Sequence, residues 1–144
     1  AYCRRYHQPL SLALFDIDLF KPINDDFGHQ KADQVLISLV SLIKEQLRKT
    51  DIIARWGGDE FIIMFPGIEP DKAEQVLHRI RQNLHDKPLI DSIFVTCSFG
   101  VAGLRPEADL DALIHEADAL MYQAKKAGGD CILRNRENIA AQES

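Results

Sequence analysis

The order of apolar segments along the chain predicts an α+β fold. Short apolar runs, typical of buried strands, alternate with longer segments that have helical spacing. Two of the short runs flank a pair of glycines, which indicates an antiparallel hairpin. The resulting order is β-α-β-β-α-β followed by α-β. This is the ferredoxin-like pattern with an added C-terminal helix and strand.

The first half of the chain supplies a strand, a helix and a hairpin. The apolar run from Pro9 to Ile17 suits a strand buried on both faces, although periodicity alone leaves a helix open. Helical spacing with a polar opposite face follows from Lys31 to Lys49. From Asp51 to Phe65 we expect two strands joined by a two-residue turn at Gly57 and Gly58.

The second half supplies two more helices and two more strands. Pro70 is expected to open an amphipathic helix. Ser92 to Ala102 is predicted to be a strand, and a helix with apolar positions from Leu110 to Ala124 should end at the following pair of glycines. Asp130 to Arg134 is the predicted last strand. In this topology the first strand and the hairpin can be neighbours in the sheet.

The bulk composition limits the partners and the compartment. The chain has 144 residues, of which 46% are hydrophobic and 27% charged, as in an ordinary domain with a real core. We expect residues 1–134 to form this domain and residues 135–144 to form a polar tail. A net charge of −5 argues against nucleic acid or an anionic membrane as a partner of this domain. Three cysteines without a CxxC pair, and no signal peptide or membrane-length apolar run, favour the cytoplasm.

Acidic side chains occur at two places that this topology can bring to one edge of the sheet. Asp16 and Asp18 close the first strand, and Asp59 and Glu60 follow the glycine pair. If the second hairpin strand is regular to its end, only one of its two acids can point towards Asp16. Two carboxylates about 4 Å apart repel by roughly 4 kcal/mol at an effective dielectric of about 20, and a divalent cation removes this repulsion. The acids therefore predict metal-assisted phosphoryl chemistry with Mg²⁺.

Other polar residues fit a nucleotide. Lys21 and Lys125 could hold phosphates as point charges. Asn24 and Asp33 could pair with the two edges of a guanine. The glycine pair would let a ligand approach the backbone closely.

Each of these residues also has a plainer interpretation. Two glycines before acids are often a solvated hairpin tip, and Asp16 and Asp18 could cap the next helix. Lys125 could stabilise the C-terminal end of its own helix. Trp56 is expected to be a packing residue, and Cys97 a core residue. It is the combination of acids, lysines and glycines that favours catalysis.

Four segments, in order, resemble the GGDEF family of diguanylate cyclases. They are FDIDLFKPINDDFGH from Phe15, RWGGDEF from Arg55, TCSFGVA from Thr96 and ADALMYQAKKAG from Ala117. The resemblance runs from about Pro9 to Arg134 and implies a palm-like nucleotide-cyclase core. It implies that two GTP molecules condense to cyclic di-GMP and release pyrophosphate. It also implies an antiparallel homodimer with one GTP per protomer, and Mg²⁺ or Mn²⁺ at two ions per half-site.

The resemblance further implies roles for individual residues. The metal ligands would be the carboxylates of Asp16 and Asp59 and the backbone carbonyl of Ile17. Residues with a catalytic role would be Asp59, Glu60 and Lys21. Residues that bind the substrate would be Asn24, Asp33, Gly57, Gly58, Lys21 and Lys125.

A second, inhibitory site for the product is also implied. The segment RKTD, from Arg48 to Asp51, lies five residues before the signature and is similar to the RxxD motif of the family. Arg79 stands where the family often places another arginine for the bound product. An arginine can stack on guanine and a carboxylate can read its edge. The alternative is that RxxD is short and frequent at helix ends.

The chain departs from the family pattern at three places. Gly129 replaces a common arginine that contacts phosphate, and Ala32 replaces a glycine and would crowd the nucleotide slightly. The usual opening segment is absent, and the first residue is Ala1, so we expect a trimmed domain that follows an upstream sensor or receiver domain. Two alternatives to an active cyclase therefore stay open: a weak or inactive module that senses GTP or cyclic di-GMP, and a purely structural interaction domain.

Overall fold

The computed structural model describes residues 8–135 of the chain. Cys3 and most of the predicted C-terminal tail lie outside the described residues. The elements, in chain order, are β1 (Leu10–Ile17), α1 (Phe20–Gln46), β2 (Ile52–Gly57), β3 (Glu60–Pro66), α2 (Pro70–Asp86), β4 (Cys97–Gly103), α3 (Leu110–Lys126) and β5 (Cys131–Arg134). This order confirms the predicted α+β fold with a ferredoxin-like core and an added helix and strand. No helix within residues 8–135 combines the length and the hydropathy needed to cross a bilayer.

The five strands form one mixed sheet in the order β2-β3-β1-β4-β5. β1 lies antiparallel between β3 and β4, β2 is antiparallel to β3, and β5 runs parallel to β4. The first strand and the hairpin are therefore neighbours, as the sequence predicts. β1 is central, and its whole length is buried.

Helices cover both faces of this sheet. On one face, apolar residues of α1 and α2 pack on the side chains that the sheet turns towards them. In this layer the centre of the Phe15 ring lies 5.3 Å from that of Phe61, on which it stacks, and 5.1 Å from that of Phe99. On the other face, α3 packs on Leu12 and Leu14. The two faces alternate along β1, so the even-numbered residues of this strand face α3.

Gly100 brings α3 close to the sheet. A Cβ atom at this position would collide with the backbone of Ala117 and Met121. The glycine of the SFGVA segment therefore lets the last helix lie directly on β4, which fixes where its C-terminal end reaches.

The first helix differs from the prediction. It begins at Phe20 rather than Lys31 and ends at Gln46 rather than Lys49. Gly28, with φ 86° and ψ 166°, interrupts it and separates two helical segments. The segment before this glycine is only eight residues long and contains Pro22 and four polar residues, so its apolar pattern is much shorter than that of the segment after it.

The hairpin turn lies one residue later than predicted. Gly57 is the last residue of β2 and pairs with Glu60, so the two turn residues are Gly58 and Asp59. Only Gly58 has a positive φ, of 38°, so the turn requires one glycine rather than two. The hydrogen bond from Arg55 Nε to the Gly58 carbonyl, 2.6 Å long, stabilises the turn.

The predicted strand from Ser92 to Ala102 is shorter in the structure. β4 begins at Cys97, and the residues before it form a turn with an isolated bridge between Ile90 and Ile93. Ile93 and Val95 are buried against the core without ladder pairing. Their apolar character therefore reflects packing and not strand structure.

Candidate active site

The site is built around Asp16, near the end of β1. Asp16 lies directly opposite Glu60 of β3 and Ser98 of β4. Directly paired residues of antiparallel strands point to the same face, so the Glu60 side chain is on the face of Asp16. Asp59 is in the turn and not in β3, so strand alternation does not apply to it. The expectation that the two hairpin acids face opposite sides assumed a strand that is regular to its end, and that condition is not met.

Asp16 is a buried carboxylate in a strong local field. Asp16 is only 2% exposed, and burial raises the pKa of its carboxyl group to about 6. A hydrogen bond and the charge of Lys125 oppose this rise, whereas repulsion from Asp59 and Asp18 adds to it. The structure therefore brings the acids of the two separate chain segments close enough to interact.

Lys125 extends from the end of α3 to this carboxylate. Its Nζ forms an ion pair with Oδ2 of Asp16. Burial lowers the pKa of Lys125, but the hydrogen bond and the negative charges of Asp16, Asp59 and Glu60 outweigh burial and raise it. Lys126 differs, because its Nζ lies 5.0 Å from the centre of the Tyr122 ring. The main contact of Lys125 is therefore the Asp16 carboxylate and not the C-terminal end of α3.

The oxygen atoms at this site fit a divalent cation. Oδ1 of Asp16 is buried and has no hydrogen-bond partner, and the nearby acids supply the hard oxygen ligands that Mg²⁺ prefers. Within residues 8–135, no three His, Cys, Asp or Glu side chains gather into a ready metal cage. A cation here would therefore complete its shell with carbonyl, water or phosphate oxygens.

Asp18 makes contacts that the sequence did not reveal. Its carboxylate accepts hydrogen bonds from the hydroxyls of Thr96 and Ser98 and from the backbone N–H of Asp130. The N-cap of α1 is Leu19, which has a left-handed φ of 56°, and no side chain caps this helix. The alternative that Asp16 or Asp18 caps the next helix is therefore wrong.

Three of the predicted nucleotide-binding residues lie along α1. Lys21 is exposed in its first turn, and Asp33 is exposed beyond the interruption at Gly28. Asn24 is half-buried, and its Oδ1 is buried without a hydrogen-bond partner. Ala32 is 2% exposed and belongs to the core, so the expectation that it crowds a nucleotide is wrong.

The hairpin tip is open to solvent. Gly57 and Gly58 are exposed, and a Cβ atom at either position would meet nothing within 4 Å. Trp56 beside them is 53% exposed, so the expectation that it is a packing residue is wrong. Cys97, by contrast, is buried in the core as predicted.

The two RxxD residues contact each other. Arg48 Nη2 donates to Asp51 Oδ1 at 2.7 Å and to the Pro66 carbonyl at 2.7 Å. The hydrogen bond with Asp51 raises the pKa of Arg48, and the Asp51 side chain is only 3% exposed. Arg79 lies exposed on α2, and no hydrogen bond or ion pair joins it to this pair within the described part of the chain.

Comparison with known families and proteins agrees with the geometry. A family profile described as "Diguanylate cyclase, GGDEF domain" matches residues 1–131. The chain is 38% identical over 124 residues to diguanylate cyclase DgcP of Pseudomonas aeruginosa, covering 84% of this chain and 18% of that protein. It is 37% identical over 142 residues to the probable diguanylate cyclase DgcC of Escherichia coli K12, covering 96% and 37%. The chain thus spans well under half the length of these curated relatives.

Solved structures share the fold. The GGDEF domain of DgcB from Caulobacter crescentus, in complex with c-di-GMP, superposes with a TM-score of 0.87 at 29% identity, over 92% of this chain and 81% of that one. The active GGEEF domain of a diguanylate cyclase from Vibrio cholerae gives a TM-score of 0.87 at 32% identity, over 92% and 86%.

Proposed function

Because this chain belongs to the GGDEF family of diguanylate cyclases, we propose that it condenses two GTP molecules into cyclic di-GMP and two pyrophosphates. The observation that carries this proposal is the buried Asp16 carboxylate, whose Oδ1 has no partner and whose neighbours are the acids of the hairpin and Lys125. Such a group is costly for a purely structural domain, because a buried polar atom without a partner lowers stability.

The carboxylates of Asp16 and Asp59 and the carbonyl of Ile17 would hold Mg²⁺ or Mn²⁺, with two ions in each half-site. A bound ion would lower the pKa of a 3′-hydroxyl and neutralise charge on the phosphates. Glu60 would accept the proton of the attacking hydroxyl, and its position directly opposite Asp16 supports this role. The 3′-oxygen then bonds to the α-phosphorus of the other nucleotide as the bond to pyrophosphate breaks.

Two lysines would hold the triphosphate. Lys125 already reaches the acids from the end of α3, and a triphosphate offers its ammonium group a stronger anionic partner than one carboxylate. Lys21 lies in the exposed first turn of α1, shortly after Asp16 in the chain. It would contribute a second positive charge to the phosphates. The exposed backbone of Gly57 and Gly58 would let the nucleotide lie over the hairpin tip.

The interrupted helix α1 would bind the base. Asn24 precedes the break at Gly28 and Asp33 follows it. The Asn24 amide would pair with the acceptor edge of guanine, and the Asp33 carboxylate would accept from the guanine N1–H and N2–H₂ groups. Adenine lacks this pair of donors on its pairing edge, so these residues favour GTP over ATP.

A single site can hold only one of the two substrates. Each protomer would supply one half-site, and two copies of the chain would face each other in an antiparallel homodimer. An upstream sensor or receiver domain and a cytoplasmic location stay predictions.

Product feedback through Arg48, Asp51 and Arg79 is the regulatory part of the proposal. The solved GGDEF domain of DgcB is a complex with c-di-GMP, which supports binding of this product within the family. In this chain, Arg48 is hydrogen-bonded to Asp51 and to Pro66. The product would therefore have to replace intrachain hydrogen bonds with its own.

The test is to incubate the purified chain with GTP and Mg²⁺ and to separate the nucleotides by chromatography. Cyclic di-GMP from the wild type and none from Asp59→Ala supports the proposal. No product over a wide range of protein concentration, even with Mn²⁺, contradicts it. Tight binding of GTP or cyclic di-GMP without turnover would instead identify a sensor module, the alternative that Gly129 favours by replacing a phosphate-binding arginine.

A further inference from the structure

We propose that Asp18 is a positioning residue whose carboxylate holds the end of β1 so that the Ile17 carbonyl faces the metal position. This inference rests on the proposed function, because it concerns how the same site is built. The hydrogen-bond partners of the Asp18 side chain are protein groups, so its role in this proposal is indirect.

The Asp18 carboxylate receives three short hydrogen bonds from two distant segments. Thr96 Oγ1 donates to Oδ2 at 2.7 Å, and Ser98 Oγ donates to Oδ1 at 2.6 Å. The backbone N–H of Asp130, just before β5, donates to Oδ2 at 2.7 Å. One side chain therefore joins β1, the start of β4 and the start of β5.

The backbone of Asp18 sets the direction of the neighbouring carbonyl. The N–H of Asp18 donates to the carbonyl of Thr96, the residue just before β4, at 2.9 Å. The Ile17 carbonyl belongs to the same planar, trans peptide unit, so it points the opposite way, towards β3 and the hairpin. Asp16 pairs with Glu60, and therefore the next residue of the hairpin on that side is Asp59.

The chain needs an anchor at this point because it turns sharply after Asp18. Leu19 has a left-handed φ of 56°, which residues with a Cβ rarely adopt. Leu19 is also 77% exposed, so its own side chain contributes little packing to hold the turn. The hydrogen bonds of Asp18 keep the preceding peptide in line with β4 while the following one turns away.

Gly129 belongs to the same arrangement. Its φ is +78°, and a Cβ atom there would lie 2.8 Å from Oδ2 and 2.9 Å from Cγ of Asp18. The next residue, Asp130, is held from the other side by Arg81 Nε and by His85 Nε2. The Asp18 carboxylate thus lies in the space that a Cβ atom at position 129 would enter, so the glycine at this departure from the family pattern fits the arrangement.

The test is Asp18→Asn in the 144-residue chain. Asparagine keeps the shape but removes the negative charge and replaces one acceptor oxygen with an NH₂ group, to which the Ser98 hydroxyl can no longer donate. The hydrogen bonds that remain to this side chain lose their charge assistance and become weaker. Mn²⁺ affinity is measured without nucleotide by electron paramagnetic resonance, alongside thermal unfolding and the kcat and KM for GTP. We expect Mn²⁺ affinity to fall about 10-fold or more, as is typical for residues that orient metal ligands. We also expect kcat to fall more than KM changes.

Two controls separate positioning from general stability. Asp109→Ala removes the side-chain cap of α3, where Asp109 Oδ1 accepts from Ala112 N at 2.9 Å, at the opposite end of that helix from Lys125. It should lower the melting temperature without changing Mn²⁺ affinity. Thr96→Val is nearly isosteric and removes one of the three donors, so it should give a smaller loss of the same kind even if Asp18→Asn fails to fold.

The results overturn the inference if Asp18→Asn, or Thr96→Val where the former does not fold, binds Mn²⁺ as tightly as the wild type. Asp18 would then only stabilise the fold. In that case cyclic di-GMP formation by the wild type would leave the proposed function intact. If instead the wild type binds Mn²⁺ in an Asp18-dependent way but makes no product, only the proposed function fails. A wild type that binds no Mn²⁺ in the absence of nucleotide contradicts the inference, and the product assay then decides the proposed function separately.

Discussion

Asp16 is a residue that lowers the stability of the fold but suits the binding of a cation. A buried carboxylate is costly when ionised, and the raised pKa of about 6 records this. Lys125 offsets part of the cost, and a cation would offset more. The residue is therefore less suited to holding the fold than to binding a positive group.

The pH dependence of stability should reveal Asp16. The folded chain holds this proton up to pH about 6, whereas the unfolded chain releases it near the ordinary pKa of 3.8. The folded state thus binds more protons between these values, so the free energy of unfolding should fall as pH rises from about 4 to about 6. A pKa rise of this size corresponds to a decrease of about 3 kcal/mol in the free energy of unfolding. Denaturant unfolding in EDTA at several pH values measures this decrease.

Asp16→Asn is the matched variant for that experiment. It removes the titrating group, so its stability should fall less over the same pH range, and at pH 7 without metal it should be at least as stable as the wild type. An unchanged pH slope would show that Asp16 does not titrate in this range.

The neighbouring lysines offer a second comparison at the residue scale. Lys125→Met removes the ion pair with Asp16, and we expect the KM for GTP to rise about 10-fold, since hydrogen bonds to charged groups contribute about 1.5–3 kcal/mol. Lys126→Met is the control, because Lys126 lies over the Tyr122 ring. Steady-state kinetics compares the two variants. Equal effects would mean that only the overall charge of this helix end matters.

At the scale of elements, the hairpin shows that similar residues can have different roles. Gly57 ends a strand, whereas Gly58 has a positive φ in the turn. The bond from Arg55 to the Gly58 carbonyl holds this turn beside the acids. The strand pair therefore places Asp59 in the turn and Glu60 at the first ladder position.

Two alanine substitutions test this assignment. Gly58→Ala forces a residue with a Cβ into a left-handed conformation and should lower the free energy of unfolding by about 1–2 kcal/mol. Gly57→Ala has space for its Cβ and no positive φ, so it should change stability by less than about 0.5 kcal/mol. Denaturant unfolding without nucleotide measures both. The reverse order would place the turn at the position that sequence alone predicts.

The element α1 illustrates how the site depends on an interruption. An unbroken helix would run straight past β1, whereas the break at Gly28 lets its two segments take different directions. Asn24 and Asp33 lie on opposite sides of this break. The guanine site proposed above therefore needs both helical segments of α1 and the break at Gly28 between them.

At the scale of the whole molecule, the proposed half-site lies at the end of the sheet where β1 and the hairpin end. The proposed reaction requires a second copy of the chain. We expect the rate per mole of chain to rise with protein concentration while dimers are scarce and to become constant once they dominate. Initial rates over a dilution series, together with sedimentation velocity, measure this relation. A constant specific rate at concentrations where the chain is monomeric would show that one chain suffices.

The sequence by itself determined the elements and the residue types of the site. The apolar run of β1, the helical spacing after Gly28 and the glycine pair of the hairpin are local signals, because periodicity and φ preference act over a few residues. They sufficed for the ferredoxin-like order and for adjacency of the acids. They did not detect the short first segment of α1, where Phe20 and Ile23 pack against the core.

Only the tertiary structure decided which side chains meet. Asp18 is separated by 78, 80 and 112 residues from its three hydrogen-bond donors. Lys125 reaches Asp16 from the other end of the chain, and Glu60 faces Asp16 only because of the register between β1 and β3. A shift of one residue in that register would turn each side chain to the other face of the sheet. Register is set by the packing of the whole core, and no local segment of the sequence contains it.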